Sequence, residues 1–286
     1  MSVPSRAVPY PAGEEVASGL IFPEGPVWWN GALHMVEVLG GTLARWTRAD
    51  GLTRVATPGG GPSGTTLAAD GTLYVSQNGG VGTPTRTQPG IQRVEPDGTV
   101  TMAFTSIGGL DLSAPSDLVA GPDGRLYVSD PGDVIDPAGD VRAGRIFAVD
   151  PLTGDGELVV ELGPVYPNGI AFFPDGRLTW SESFSQRISV LGAGGEPELL
   201  AQLPATHMPD GMRFDDGGLC YVASPTASCV MVLDGSSKVA ELACGDGLVT
   251  SCCFVDGDLY VTAAGASPIG RPEEAKPGTL WRFRRT

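Results

Sequence analysis

The chain has 286 residues, 42 of them Gly and 25 Pro, with 18% charged residues and a formal net charge of -15. That acidity repels phosphate backbones and anionic surfaces, which argues against nucleic acid and membranes as partners, and no apolar run reaches membrane-spanning length. The Gly and Pro content, with no long amphipathic helical period, points to a turn-rich β protein with ample chain for a core.

Residues 1–11 lack a basic-then-apolar leader pattern, and 13–17 are the first predicted strand. A unit then recurs six times: an apolar strand, an Asp-Gly or Asn-Gly turn, an alternating strand, and further strands. The turn glycines are Gly31, Gly71, Gly124, Gly176, Gly217 and Gly257. In chain order, the later strands of each unit are expected at 41–46 and 53–56, 90–94 and 99–102, 144–149 and 157–160, 186–190 and 198–201, 228–232 and 238–241, and 278–283. The sixth unit runs out of chain before its last strand. The pattern predicts an all-β fold, a six-bladed β-propeller with four antiparallel strands per blade, in one domain over 1–286. The N-terminal strand is expected to complete the last blade and close the ring.

Three connections are longer than the rest, at 77–89, 131–143 and 265–277. They are expected to shape an entrance, with Arg86 and Arg142 as candidate contacts. The five cysteines (Cys220, Cys229, Cys244, Cys252, Cys253) are odd in number and form no C-x-x-C, so they read as reduced thiols in a cytoplasmic protein.

Five units open on a proline motif: Pro23-Glu24-Gly25, Pro62-Ser63-Gly64, Pro115-Ser116-Asp117, Pro167-Asn168-Gly169 and Pro209-Asp210-Gly211. Innermost strands line a propeller's channel, so Glu24, Ser63, Ser116, Asn168, Asp210 and, in the sixth unit, Thr250 are expected to converge at one mouth. Singly, such residues more often satisfy local backbone amides. Aligned, Glu24, Asn168 and Asp210 read as oxygen ligands, because two acids meeting on an axis repel unless a cation joins them. One divalent cation is expected; oxygen-only ligation suits Ca²⁺, Mg²⁺ or Mn²⁺, and carboxylates also accept Zn²⁺ and Fe²⁺.

Asp117 stands where the other four motifs have Gly, and His207 lies three residues before Asp210. With Ser116 they are the candidate substrate contacts. His34 reads as packing, and Cys252 and Cys253 as small core residues. Asp130 and Glu182 end strands, either facing the channel or bonding internally.

The segments Phe22-Pro23-Glu24-Gly25-Pro26-Val27-Trp28, Pro115-Ser116-Asp117-Leu118-Val119, Pro122-Asp123-Gly124-Arg125-Leu126-Tyr127-Val128-Ser129-Asp130, Pro167-Asn168-Gly169-Ile170-Ala171-Phe172 and Pro209-Asp210-Gly211-Met212 resemble the senescence-marker-protein/gluconolactonase (regucalcin-like) family. The resemblance spans nearly the whole chain. It implies a six-bladed propeller hydrolase with one divalent cation, Ca²⁺ as first choice, held by Glu24, Asn168 and Asp210. Asp210 would also be the catalytic general base, and the substrate a small lactone or related ester. A phosphotriester or fluorophosphate hydrolase, and a non-catalytic Ca²⁺-binding propeller, are the alternatives. A monomer or weak homo-oligomer is expected. Two departures matter: Ser116 replaces the Asn of the family's Pro-Asn-Asp, and Ala114 stands where some sugar-lactone members carry Arg. A less polar pocket is the expected consequence.

Overall fold

The computed structural model describes residues 8–132, 142–265 and 276–286. Six antiparallel four-stranded sheets form a six-bladed β-propeller. Blade one comprises Pro23–Trp29, Ala32–Glu37, Thr42–Thr47 and Gly51–Ala56; blade two Pro62–Leu67, Leu73–Gln77, Gly90–Val94 and Val100–Phe104. Blade three comprises Leu118–Ala120, Leu126–Asp130, Arg145–Val149 and Gly156–Glu161; blade four Pro167–Phe172, Leu178–Glu182, Arg187–Leu191 and Pro197–Gln202. Blade five comprises Met212–Phe214, Leu219–Ser224, Cys229–Asp234 and Ser237–Ala243. In blade six, Leu248–Val255, Asp258–Ala264 and Gly278–Phe283 are joined by Gly13–Leu20, which pairs antiparallel with Gly278–Phe283. The expected N-terminal closure is therefore present.

Each blade is covered on both faces, so its strands can be apolar on both sides of the pleat. In Ala32–Glu37, Leu33 and Met35 pack toward blade six, while Val36 packs toward blade two. Among the described residues, six apolar clusters result, one at each blade-to-blade interface. His34 is buried edge-on against Trp29 with centroids 5.1 Å apart, and burial lowers its pKa to about 4. It is a packing residue, as expected.

A short hairpin, Ser106–Ile107 with Leu110–Asp111, links blades two and three; nothing in the repeat pattern pointed to it. The longer connections follow the second strand of a blade, which returns to the proline-motif end. Much of those at 131–143 and 265–277 lies outside the described residues; Arg86, in the first, is exposed. Among the described residues no helix is long and apolar enough to cross a membrane, and all five cysteines are free.

Candidate active site at the channel mouth

The proline motifs place their second residues by a shared backbone device. Pro23 pairs with Glu37, Pro62 with Gln77 and Pro167 with Glu182, and an irregularity in register follows each proline before regular pairing resumes. Such bulges re-aim side chains. Here Ser63 and Asn168 fall within the irregular stretch, while Glu24 pairs with Val36 immediately before it, all near the start of the inner strands.

A second device clamps these residues to the neighbouring blade. The Ser76 hydroxyl donates to the Ser116 carbonyl at 2.6 Å, Ser129 to the Asn168 carbonyl at 2.6 Å, and Ser181 to the Asp210 carbonyl at 2.7 Å. Thr250 donates to the Pro23 carbonyl at 2.7 Å, just before Glu24. The blades also approach closely on the axis. A Cβ added at Gly64 would lie 2.8 Å from Asp117 Cα, and one at Gly169 would lie 2.8 Å from Gly211 Cα. Gly64→Ala is accordingly expected to cost about 1–3 kcal/mol through overpacking. The cost should be read as a lower urea midpoint at unchanged slope; an unchanged midpoint would contradict the close approach.

Three of the expected ligands come together. Glu24 is buried, and Asn168 and Asp210 are half-buried. The Asp210 carboxyl lies close enough to Glu24 and Asn168 for their side chains to influence its ionisation. Burial, with the Asp117 charge adding, pushes the Asp210 carboxyl up to about 8. Burial and then the charges of Asp210 and Asp117 hold Glu24 well above the usual carboxylate range. Burial and mutual charge thus disfavour ionising both carboxyls together, a cost that a divalent cation would offset.

The orientation of Asn168 follows from its neighbours. Ser183 donates its hydroxyl proton to the Pro209 carbonyl at 2.7 Å, so its oxygen accepts from Asn168 Nδ2 at 3.2 Å. That leaves Asn168 Oδ1 as an acceptor, reached by the Ser116 hydroxyl at 2.7 Å. Two carboxylates, an amide oxygen and a hydroxyl form a hard donor set that fits an oxygen-seeking divalent cation.

Asp117 and His207 have other partners. Asp117 Oδ1 accepts from the Leu118 amide at 2.8 Å, and Oδ2 accepts from the Ile170 amide at 3.3 Å and faces Arg213 Nη1 at 3.4 Å. Asp117 is thus buried beside the acids and held by two backbone amides and a guanidinium. His207 Nε2 lies 3.1 Å from Glu241 Oε1 on Ser237–Ala243, the outermost strand of blade five. That strand is three strand spacings, roughly 14 Å, from the inner one.

Asp130 and Glu182 bond internally. Asp130 accepts from the Ser113 and Ala114 amides at 2.9 Å each and pairs with Arg145 at 2.7 Å. Glu182 accepts from Trp180, Ser185 and Ser189. Burial pushes the Cys252 thiol up to about 12, which suits a core residue rather than a nucleophile.

Tyr166 is a site residue that the repeat reading missed. It is half-buried, and burial together with the charges of Asp210 and Glu24 raises its hydroxyl pKa. Its ring lies 4.8 Å from that of Phe184, centroid to centroid. Tyr166 and Phe22 both precede a motif proline and both have φ of +56°, a left-handed conformation that is rare for bulky residues. A bulky aromatic immediately before the motif proline was the available signal.

A family model described as SMP-30/Gluconolactonase/LRE-like region matches residues 22–265. The chain belongs to this family. No curated protein matches it. Among solved structures, a gluconolactonase from Xanthomonas campestris is 21% identical, with a TM-score of 0.77 over 96% of this chain and 89% of that one. A luciferin-regenerating enzyme is 19% identical, with a TM-score of 0.75 over 95% and 94%. A calcium-binding regucalcin from Agrobacterium tumefaciens is 16% identical, with a TM-score of 0.73 over 97% and 94%. At these identities the likeness establishes the propeller, and the SMP-30/gluconolactonase membership rests on the family match. Membership supports a lactonase-type hydrolase acting on a small molecule.

Proposed function

We propose that the protein is a divalent-metal-dependent lactonase, with Glu24, Asn168 and Asp210 holding the cation and Asp210 doubling as general base. The observation that carries this reading is the convergence of the Glu24 and Asp210 carboxyls beside the oriented Asn168 amide. Ca²⁺ is the first choice, on the hardness of the donors. A bound cation would supply Lewis acidity toward the lactone carbonyl and would ease deprotonation of a water.

The chain's own residues supply the rest. Asp210, freed of its proton, accepts one from the attacking water as the water oxygen bonds the carbonyl carbon. The ring C–O bond then breaks, and the proton passes from Asp210 to the leaving alkoxide. Ser116, half-buried at the mouth, carries a hydroxyl that can turn from Asn168 Oδ1 to a substrate oxygen. Tyr166, near the acids, packs its ring on Phe184, and Ala114 supplies no polar arm. These features favour a lactone with an apolar substituent over a polyhydroxy sugar lactone. The free thiols support a reducing, cytoplasmic setting.

The test is a panel of lactones, esters and phosphotriesters run against a metal series. Chelation should remove lactone turnover, and one metal should restore it. Turnover that survives exhaustive chelation would refute metal dependence. Preferential phosphotriester cleavage would favour a phosphotriesterase, and cation uptake without hydrolysis would favour a calcium-binding module.

A further inference from the structure

We propose that His207, Cys229 and Glu241 form a second metal site, for a thiophilic divalent cation of the zinc class, on blade five. One ring nitrogen, one sulfur and one carboxylate oxygen lie within 4.8 Å of one another. This donor set is softer than the oxygen set at the channel mouth and selects differently among metals.

The sheet register builds two corners of the site. Met231 pairs with Glu241 and Cys229 with Ala243. Residues two apart share a face, so Cys229 and Glu241 are diagonal neighbours on the face that carries Met231. Met231 belongs to the apolar cluster shared with blade four, so this face looks toward that blade.

The chain between blades four and five supplies the third corner. The His207 amide donates to the Pro204 carbonyl at 2.8 Å. The Thr226 hydroxyl donates to the Thr206 carbonyl at 2.8 Å and accepts from the Met208 amide at 2.9 Å, pinning the residues on either side of the histidine. Thr206 Oγ1 lies 2.9 Å from His207 Nδ1, which leaves Nε2 facing Glu241 Oε1 at 3.1 Å. A partner on one ring nitrogen that orients the other is the usual arrangement of a ligating histidine.

Tetrahedral zinc places neighbouring N, O and S donors about 3.3–3.6 Å apart, so small side-chain rotations complete the geometry. Lys238 Nζ lies 2.7 Å from Glu241 Oε1. The carboxylate has two oxygens, and one can stay with Lys238 while the other takes the cation. Glu241 is exposed, so water can supply the fourth position. Burial, then the Glu241 charge, pushes the Cys229 thiol up to about 11. The cation therefore displaces the thiol proton: Cys–SH and M²⁺ give Cys–S–M⁺ and H⁺.

The test uses Co²⁺ as a spectroscopic probe and Zn²⁺ as competitor on the full-length, metal-stripped protein. Co²⁺ should give a thiolate-to-cobalt charge-transfer band in the near ultraviolet, bleached by Zn²⁺. The band should vanish in Cys229→Ser and persist in Asp210→Asn, since the oxygen-only mouth cannot produce it. His207→Ala should weaken Zn²⁺ binding by at least about tenfold, and it carries the test if Cys229→Ser fails to fold. No band in the wild-type protein, a band retained in Cys229→Ser, or unchanged Zn²⁺ affinity in His207→Ala overturns the proposal. The outcome does not depend on the identity of the axial metal or on lactone turnover.

Discussion

Replacing Asp210 with Asn is expected to lower lactone turnover by about 10²–10⁴-fold, the usual worth of a positioned general base. The amide keeps an oxygen where the carboxylate had one but cannot accept the proton of the attacking water. A bound cation would lose one negative ligand and would retain Glu24 and the Asn168 amide oxygen, which Ser183 helps to orient. Metal affinity should therefore fall by a smaller factor than kcat. Parallel measurements of kcat/KM and of calcium binding by titration calorimetry separate the two effects. Full turnover in the variant would remove Asp210 from the mechanism. A loss of affinity equal to the loss of turnover would reduce it to a ligand.

Stripped of divalent cations, the protein is expected to lose stability as pH rises from about 4 to above 8. Burial and neighbouring charge raise the Asp210 carboxyl from 3.8 to about 8, and Glu24 moves in the same direction. A folded-state pKa above the unfolded value means that the native protein holds a proton that the unfolded chain releases. The stabilising contribution is complete below the unfolded value and is lost as pH rises through the folded one. A bound cation supplies the missing positive charge and should flatten the profile, as should Asp210→Asn in the metal-free protein. Melting temperature is a sensitive readout, at roughly 2–4 °C per kcal/mol for a chain of about this size. The decisive quantity is the difference between metal-free and calcium-loaded protein. If that difference does not widen with pH, the two carboxyls are not facing each other as described.

The propeller was legible because its turns are chemically explicit. Asp-Gly and Asn-Gly at Gly31, Gly71, Gly124, Gly176 and Gly257 mark hairpins at equivalent positions. Glu24, Asn168 and Asp210 were legible for the same reason, since repetition brings equivalent residues to one axis. What escaped were features set by side-chain direction and inter-blade contact. His207 is three residues from Asp210 in sequence, yet the loop turns its ring toward Glu241 on the outer strand. Asp117 was marked by its exceptional position, but its amide and Arg213 partners lie in blades three, four and five and have no local signature. The serine clamps had a visible trace that went unread. Ser76, Ser129 and Ser181 each precede a Gln, Asp or Glu at the end of a second strand. The left-handed backbone that sets Tyr166 near the acids left only the order of residues as a clue.

The pairing of Gly13–Leu20 with Gly278–Phe283 bears on how the molecule comes apart and how it is made. A linear repeat array can fray from either end, one unit at a time. Here the two ends of the described β-structure share a blade, so no terminal repeat is available to peel away. Equilibrium unfolding should therefore be cooperative. The same pairing delays completion during synthesis, because chain folding proceeds from the N-terminus as residues emerge. Gly13–Leu20 must wait for the last strand. The contact from Thr250 to Pro23, beside Glu24, waits for blade six. The mouth of the channel is thus among the last regions to be secured, although Glu24 is made near the start.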